Sequence, residues 1–210
     1  MAMRIQVIFS KTDHMRYTSH LDVQRTWERT LRRARLPLSY SQGFNKRAKI
    51  NLAAALPLGF TSNCEIIEFW LDGDPSVNEI ETRLMTAIPP GIEIHAIAEI
   101  DPKIPKIPNL VDSVNYLIVL LDPVPDLDQR IADILDAENL QRERRKKNYD
   151  LRPLIEEIKV VPSNDGTVKL EFQLAARNGA TGRPEEVLLA LGIDPISARV
   201  HRTSLNLKSA

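Results

Sequence analysis

The chain has 210 residues, 43% apolar and 27% charged, which fits a folded globular protein of one large or two small domains and excludes wholesale disorder. A single cysteine, Cys64, excludes an intrachain disulfide, a four-cysteine zinc site and an all-cysteine iron–sulfur cluster within the chain. The net charge of zero is a sum of unlike segments: Lys11 to Ile50 has ten basic residues against three acidic, Ser62 to Leu140 has four against sixteen, and Arg142, Arg144, Arg145, Lys146 and Lys147 then follow as a basic run. Such sorting points either to a polyanion-binding face opposite an acidic one, or to faces that neutralise each other in the fold or across an oligomer.

Met3 to Ser10 alternates around Ile5, Val7 and Phe9, the period of a half-buried strand. Ser19 reads as the N-cap of a helix with Asp22 three residues on, running to about Arg35 before Pro37. Val23, Trp27, Leu31 and Ala34 form its apolar stripe, and Arg25, Arg29, Arg32 and Arg33 a basic ridge in another sector. Tyr40, Gly43, Phe44 and Asn45 then mark a loop, followed by short strands within Ile50 to Leu58. A strand over Cys64 to Leu71, a helix over Val77 to Ala87 capped by Ser76, and a strand over Ile92 to Ile100 complete the first half.

The order β-α-β-β-α-β is the split βαβ of a ferredoxin-like unit. Asp101 to Asn109, with Pro102, Pro105 and Pro108, reads as an extended connector. Beyond it the same order repeats: a strand over Val114 to Leu121, a helix over Asp126 to Leu135, a charged edge strand over Leu140 to Lys146, and a short helical turn over Arg152 to Ile158. A turn at Asn164-Asp165-Gly166 precedes a strand over Val168 to Leu174. A helix over Pro184 to Leu191, stopped at Gly192, and a strand over Ala198 to Leu207 close the chain. The expected fold is therefore α+β: two ferredoxin-like units with antiparallel sheets, at residues 1–100 and 110–210, joined by connector 101–109.

Arginine forks grip phosphate bidentately and stay charged. The ridge of Arg25, Arg29, Arg32 and Arg33, with Lys46, Arg47 and Lys49 downstream and Tyr40 and Phe44 between, has the cation–aromatic interleaving of single-stranded RNA recognition. The plainer alternatives are a solvated helix face and two aromatic core residues. Gly179 to Arg183 before Pro184 offers amides and Arg183 to an anion, or is a flexible loop. His20 and Asp22 could serve as an acid/base pair, although both stand where helix starts place capping groups. The four histidines lack paired metal-ligand spacing, so neither a metal nor a cofactor is expected. No run approaches the roughly 18 apolar residues of a membrane span, and the N-terminus lacks the form of a secretory signal, so the expected compartment is the cytoplasm.

Several stretches together resemble a bacterial family, the radical SAM-linked proteins of uncharacterised function. They are Phe9-Ser10-Lys11, Ser19-His20-Leu21-Asp22, Tyr40-Ser41-Gln42-Gly43-Phe44-Asn45, Leu56-Pro57-Leu58-Gly59, Asp150-Leu151-Arg152-Pro153 and Gly182-Arg183-Pro184-Glu185. The resemblance implies a protein that in some bacteria is fused behind a cobalamin-type radical SAM enzyme and in others stands alone. The family commonly has Pro-His-Pro after Gly-Phe-Asn, where this chain has Lys46-Arg47-Ala48. A radical SAM enzyme needs three cluster cysteines, so the chain would be its accessory. The leading expectation is thus a non-catalytic adaptor of a radical SAM enzyme that binds RNA or a ribonucleoprotein through the basic helix and the Gly43-Phe44-Asn45 loop. The alternatives are a protein-interaction module without nucleic acid and a small metal-independent RNA-processing enzyme using His20 and Asp22.

Overall fold

In the computed structural model, residues 2–144, 146–163 and 166–208 are described, and the chain divides into two compact units between Val111 and Asp112. In the first, Ile5, Val7 and Phe9 of β1 (Met3–Lys11) are fully buried on one sheet face. Across them lies α1 (His20–Arg33), whose Ser19 Oγ accepts a hydrogen bond from the Asp22 amide at 3.2 Å. The predicted stripe holds: Val23, Trp27, Leu31 and Ala34 are all buried, and Trp27 meets Phe9 edge-on at 4.9 Å between ring centroids. The edge strand β2 (Ile50–Leu52), the long β3 (Thr61–Leu71), α2 (Val77–Met85, capped by Ser76) and β4 (Ile92–Glu99) follow.

All pairings in this unit are antiparallel, in the order β2-β3-β1-β4, which is the ferredoxin-like order expected from β-α-β-β-α-β. Register fixes what each face carries, because side chains alternate along a strand. Ile5 opposes Phe69 and Val7 opposes Ile67 on the helix-covered face. Arg4 opposes Trp70 and Gln6 opposes Glu68 on the other. There the Arg4 guanidinium and the Glu68 carboxylate, exposed by 2% and 1%, form an ion pair at 2.5 Å. Arg4 also donates to the carbonyls of Ile104 (2.6 Å) and Pro105 (2.8 Å), and Glu68 accepts from the Ile107 amide (3.1 Å). The proline-rich stretch is therefore tied down against the sheet. It does not stay extended to its end: α3 (Ile107–Leu110) closes one helical turn with Pro108 inside its first turn, where a missing N–H costs nothing.

The second unit consists of β5 (Val111–Leu120), α4 (Leu127–Asp136), β6 (Gln141–Arg144), β7 (Lys147–Asp150), β8 (Ile155–Val161), β9 (Lys169–Arg177), β10 (Ala180–Thr181), α5 (Pro184–Ala190) and β11 (Ala198–Leu207). Its strand order β8-β9-β5-β11 repeats that of the first unit, with Val114, Tyr116, Ile118, Leu170, Phe172, Val187 and Leu188 in its core.

Two expectations fail here. The stretch expected as one charged edge strand is an antiparallel hairpin, β6 with β7, standing apart from the main sheet; its all-polar sequence has no hydrophobic period to show the reversal. The helical turn expected over Arg152 to Ile158 stops at Leu154, and β8 begins at Ile155. A register shift between Ile155 and Glu157 breaks the alternation that would have marked this strand. Of the predicted turn at Asn164-Asp165-Gly166, the first two residues lie outside the described ones.

The buried pair yields a stability prediction. Arg4→Met, which strands the Glu68 charge, should cost about 3–5 kcal/mol in urea denaturation of the full chain. Adding Glu68→Leu should add no further loss, so that a double-mutant cycle reports strong coupling.

Candidate nucleic-acid interface

Helical spacing divides the predicted arginine ridge. Arg25, Arg29 and Arg32 follow at i, i+4 and i+7 and are exposed, Arg25 pairing with Asp22 at 3.1 Å and Arg32 with Glu28 at 2.6 Å. Exposed pairs of this kind contribute little, so they do not withhold these cations from a ligand. Arg32 also lies over the Tyr40 ring at 6.0 Å. Arg33, one residue further round the helix, leaves the ridge and donates to the Ala87 carbonyl at 2.6 Å. It ties the end of α1 to the turn that follows α2.

The Tyr40–Asn45 segment forms a closed, projecting loop. Tyr40 bridges to Ala48, the Ser41 amide donates to the Arg47 carbonyl (2.8 Å), and the Arg47 amide donates to Ser41 Oγ (3.0 Å). At its tip Gly43 has φ +122°, a conformation that L side chains rarely adopt. The two aromatic residues take different roles. Tyr40 is half-buried and packs on the hydrophobic core, whereas Phe44 is wholly exposed, beside exposed Asn45, Lys46 and Arg47. A phenylalanine left entirely in water contributes nothing to the core of this unit, and the core reading of Phe44 falls.

Both feet of the loop rest on the end of β3. The Ser39 amide donates to the Trp70 carbonyl (2.8 Å), and the Trp70 amide donates to the Lys49 carbonyl (3.2 Å). The Asp72 amide donates to the Pro37 carbonyl at 2.7 Å, and the Ser39 hydroxyl donates to the Asp72 carboxylate. The segment from Lys46 to Ile50 consequently forms a rim with a depression on either side. The one towards α1, of about 420 Å³, is lined by Leu21, Gln24, Arg25 and Glu28 together with Lys46, Arg47, Ala48 and Ile50. The other, of about 460 Å³, is lined by Ser41, Arg47, Lys49, Asn51, Trp70 and Lys106.

The fold thus brings Arg25 to Lys46 and Arg47, and adds Lys106 and Trp70, two residues that sequence reasoning did not single out. Arg4 and Lys106 lie over the Trp70 ring at 5.5 and 5.9 Å. The period-2 register of Ile66 to Trp70 held a signal for Trp70, since it sets that ring opposite the face of Phe69. Nothing in the sequence around Lys106 pointed to the rim.

The other predicted residues lie elsewhere. Asp22 is committed to the helix start: the Ser19 hydroxyl donates to its carboxylate at 2.6 Å, and this bond, followed by the Arg25 guanidinium, holds its carboxyl below the usual carboxylate range. That leaves it an anion at neutral pH with its oxygens already engaged. His20 is the first residue of α1. Arg183 belongs to the second unit and lines a cavity there. Among the described residues no group of three or more His, Cys, Asp or Glu is placed to hold a metal ion, and no helix is long and apolar enough to cross a membrane.

These features define a protein built of ferredoxin-like α+β units, one of which carries a cationic rim with an exposed aromatic tip. Residues 4–184 match the model of the family described as "Uncharacterized protein conserved in bacteria (DUF2344)", and the chain belongs to that family. No curated protein matches the sequence. Among solved structures, the chain is similar to one in the crystal structure of a Cbf5-Nop10-Gar1 complex, with 13% identity and a TM-score of 0.48 over 95% of this chain and 48% of that one. It is similar to one in the archaeal box H/ACA sRNP Nop10-Cbf5 complex, with 14% identity and a TM-score of 0.41 over 96% and 48%. It is also similar to the acetolactate synthase small subunit from Thermotoga maritima, with 13% identity and a TM-score of 0.30 over 100% and 98%. The chain spans about half the length of the first two.

Two predictions follow from the local geometry. Phe44→Ala should shift stability by no more than about 0.5 kcal/mol, as exposed substitutions do, while Tyr40→Ala should lose on the order of 1–2 kcal/mol from its buried part, both read by urea denaturation. Because its folded-state pKa is lowered, Asp22 contributes stability above its unfolded pKa, roughly 4, and that contribution is lost as pH falls through the lower folded value. Asp22→Asn should therefore flatten the acid limb of the stability–pH curve.

Proposed function

We propose that this protein binds single-stranded RNA, or an RNA–protein particle, along the Lys46–Ile50 rim as the accessory of a radical SAM enzyme. One observation carries the reading: Arg25 from α1 and Lys46 and Arg47 from the loop line one groove beside the wholly exposed Phe44. Guanidinium and ammonium groups spaced along a rim track a phosphate backbone, and an aromatic ring left in water at its tip offers a stacking face to any base. Duplex recognition would need a helix or ribbon sized to a groove, whereas a small projecting loop suits unstacked bases. The partner enzyme is supported by the sequence resemblance, whose motifs include the loop from Tyr40 to Asn45 and the helix start at Ser19 to Asp22. With Cys64 as its single cysteine, the chain would leave cluster chemistry to that partner. No acid/base role is given to His20 and Asp22, since the Asp22 carboxylate is bound to Ser19 and Arg25.

Fluorescence anisotropy with a labelled single-stranded RNA across a salt series tests this reading. The triple variant Arg25→Glu, Lys46→Glu, Arg47→Glu should remain folded and lose affinity at every sequence alike. Each lost phosphate contact should lower the magnitude of the slope of log K against log salt by about 0.7. Phe44→Ala should weaken binding by roughly 1–3 kcal/mol. A folded triple variant that binds RNA as the parent does, or a parent that binds no RNA at low salt, would overturn the reading and leave the rim to an acidic protein surface.

A further inference from the structure

We propose that the second unit carries a separate binding site for a small-molecule phosphate monoester, walled by the β6–β7 hairpin and the segment Gly179–Arg183. Hairpin register sets the first wall. Arg142 opposes Tyr149 and Arg144 opposes Lys147, and alternation along each strand puts these four side chains on one face. That face meets a cavity of about 550 Å³ lined by Arg144, Lys147, Tyr149, Asp150, Thr181 and Arg183, a volume in the range of small-molecule sites.

The second wall is held close by a glycine. A Cβ on Gly182 would lie 2.8 Å from the Leu154 carbonyl oxygen and 3.1 Å from Leu174 Cβ, so only glycine lets this segment approach so closely. The Gly182 amide also donates to the Ala175 carbonyl at 2.8 Å. Thr181 and Arg183 are thus presented from fixed backbone.

The cations of this cavity stand near the carboxylates of Asp150, Glu185 and Glu186 without pairing with them. Among the described residues, Arg144, Lys147 and Arg183 form no ion pair. The nearby Asp150 carboxylate is taken up locally, accepting from the amides of Leu140 (2.8 Å) and Arg152 (3.0 Å). Burial pushes the Glu185 carboxyl up, while Arg183 and Arg144 pull it down. Burial, with the Glu186 carboxylate close by as its hydrogen-bond partner, pushes the Tyr149 hydroxyl up.

Two guanidinium forks and an ammonium on one cavity match the two charges and the terminal oxygens of a phosphate monoester. A single carboxylate would leave most of these donors unused. Tyr149 and Leu154 supply an apolar wall for the body of the molecule. This site does not depend on the RNA reading, which rests on other residues.

Isothermal titration of the full chain with adenosine monophosphate, adenosine and inorganic phosphate tests the proposal. Adenosine monophosphate should bind, adenosine should not, and inorganic phosphate should displace the nucleotide. Arg183→Gln should weaken binding at least tenfold. Lys147→Gln, on the exposed hairpin, should weaken it at least threefold and gives a reading even if Arg183→Gln does not fold. Absence of nucleotide binding, equal binding of adenosine, or unchanged affinity in a folded variant would overturn the site. So would capture of a 5′-phosphorylated RNA with no binding of the mononucleotide.

Discussion

The candidate interface exists because both feet of the Tyr40–Ala48 loop are hydrogen-bonded to the last residues of β3. Trp70 gives its carbonyl to Ser39 and its amide to Lys49, and Asp72 reaches Pro37 and Ser39. A loop so tied at its base can expose its tip without losing its place. Phe44 and its basic neighbours are therefore carried at a set distance from α1, and Arg25 can share a groove with them. The same residue that anchors the loop by its backbone offers its ring on the opposite side of the rim, under Arg4 and Lys106.

Beneath that anchor lies the Arg4–Glu68 pair. Two charges almost wholly removed from water are tolerable only when their remaining donors and acceptors are met, and here the backbone of residues 104–107 supplies most of the partners. The arrangement holds Lys106 over Trp70. Cations along the rim have a second consequence, since β2 is an edge strand and lysines and arginines on such an edge oppose unwanted pairing with other strands.

Much of this fold was legible in the sequence, for identifiable reasons. Ser19 and Ser76 marked two helix starts through their capping chemistry, the stripe of Val23, Trp27, Leu31 and Ala34 marked the buried face of α1, and the last strand was bounded at Ala198 and Leu207 as observed. The failures share one physical cause, the loss of hydrophobic period. The β6–β7 hairpin is polar on both faces, and β8 carries an irregularity between Ile155 and Glu157 that shifts its alternation. At the rim, composition identified the cations and aromatics, but only the fold separates Tyr40, which packs on the core, from Phe44, which does not, and Arg33, which binds Ala87, from its neighbours on the ridge. Trp70 and Lys106 are distant in sequence from the loop and meet it through strand pairing and the Arg4–Glu68 clamp.

The central claim is that RNA contacts this chain at the Lys46–Ile50 rim and the Phe44 tip. The most direct measurement is photocrosslinking of the full chain to a single-stranded RNA containing 4-thiouridine, followed by mass-spectrometric mapping of the attached residues. The account predicts crosslinks concentrated at Phe44 and Trp70 and on the residues between Gln42 and Asn51. Crosslinks that fall only elsewhere on the chain, or none under conditions where the RNA is bound, would contradict it.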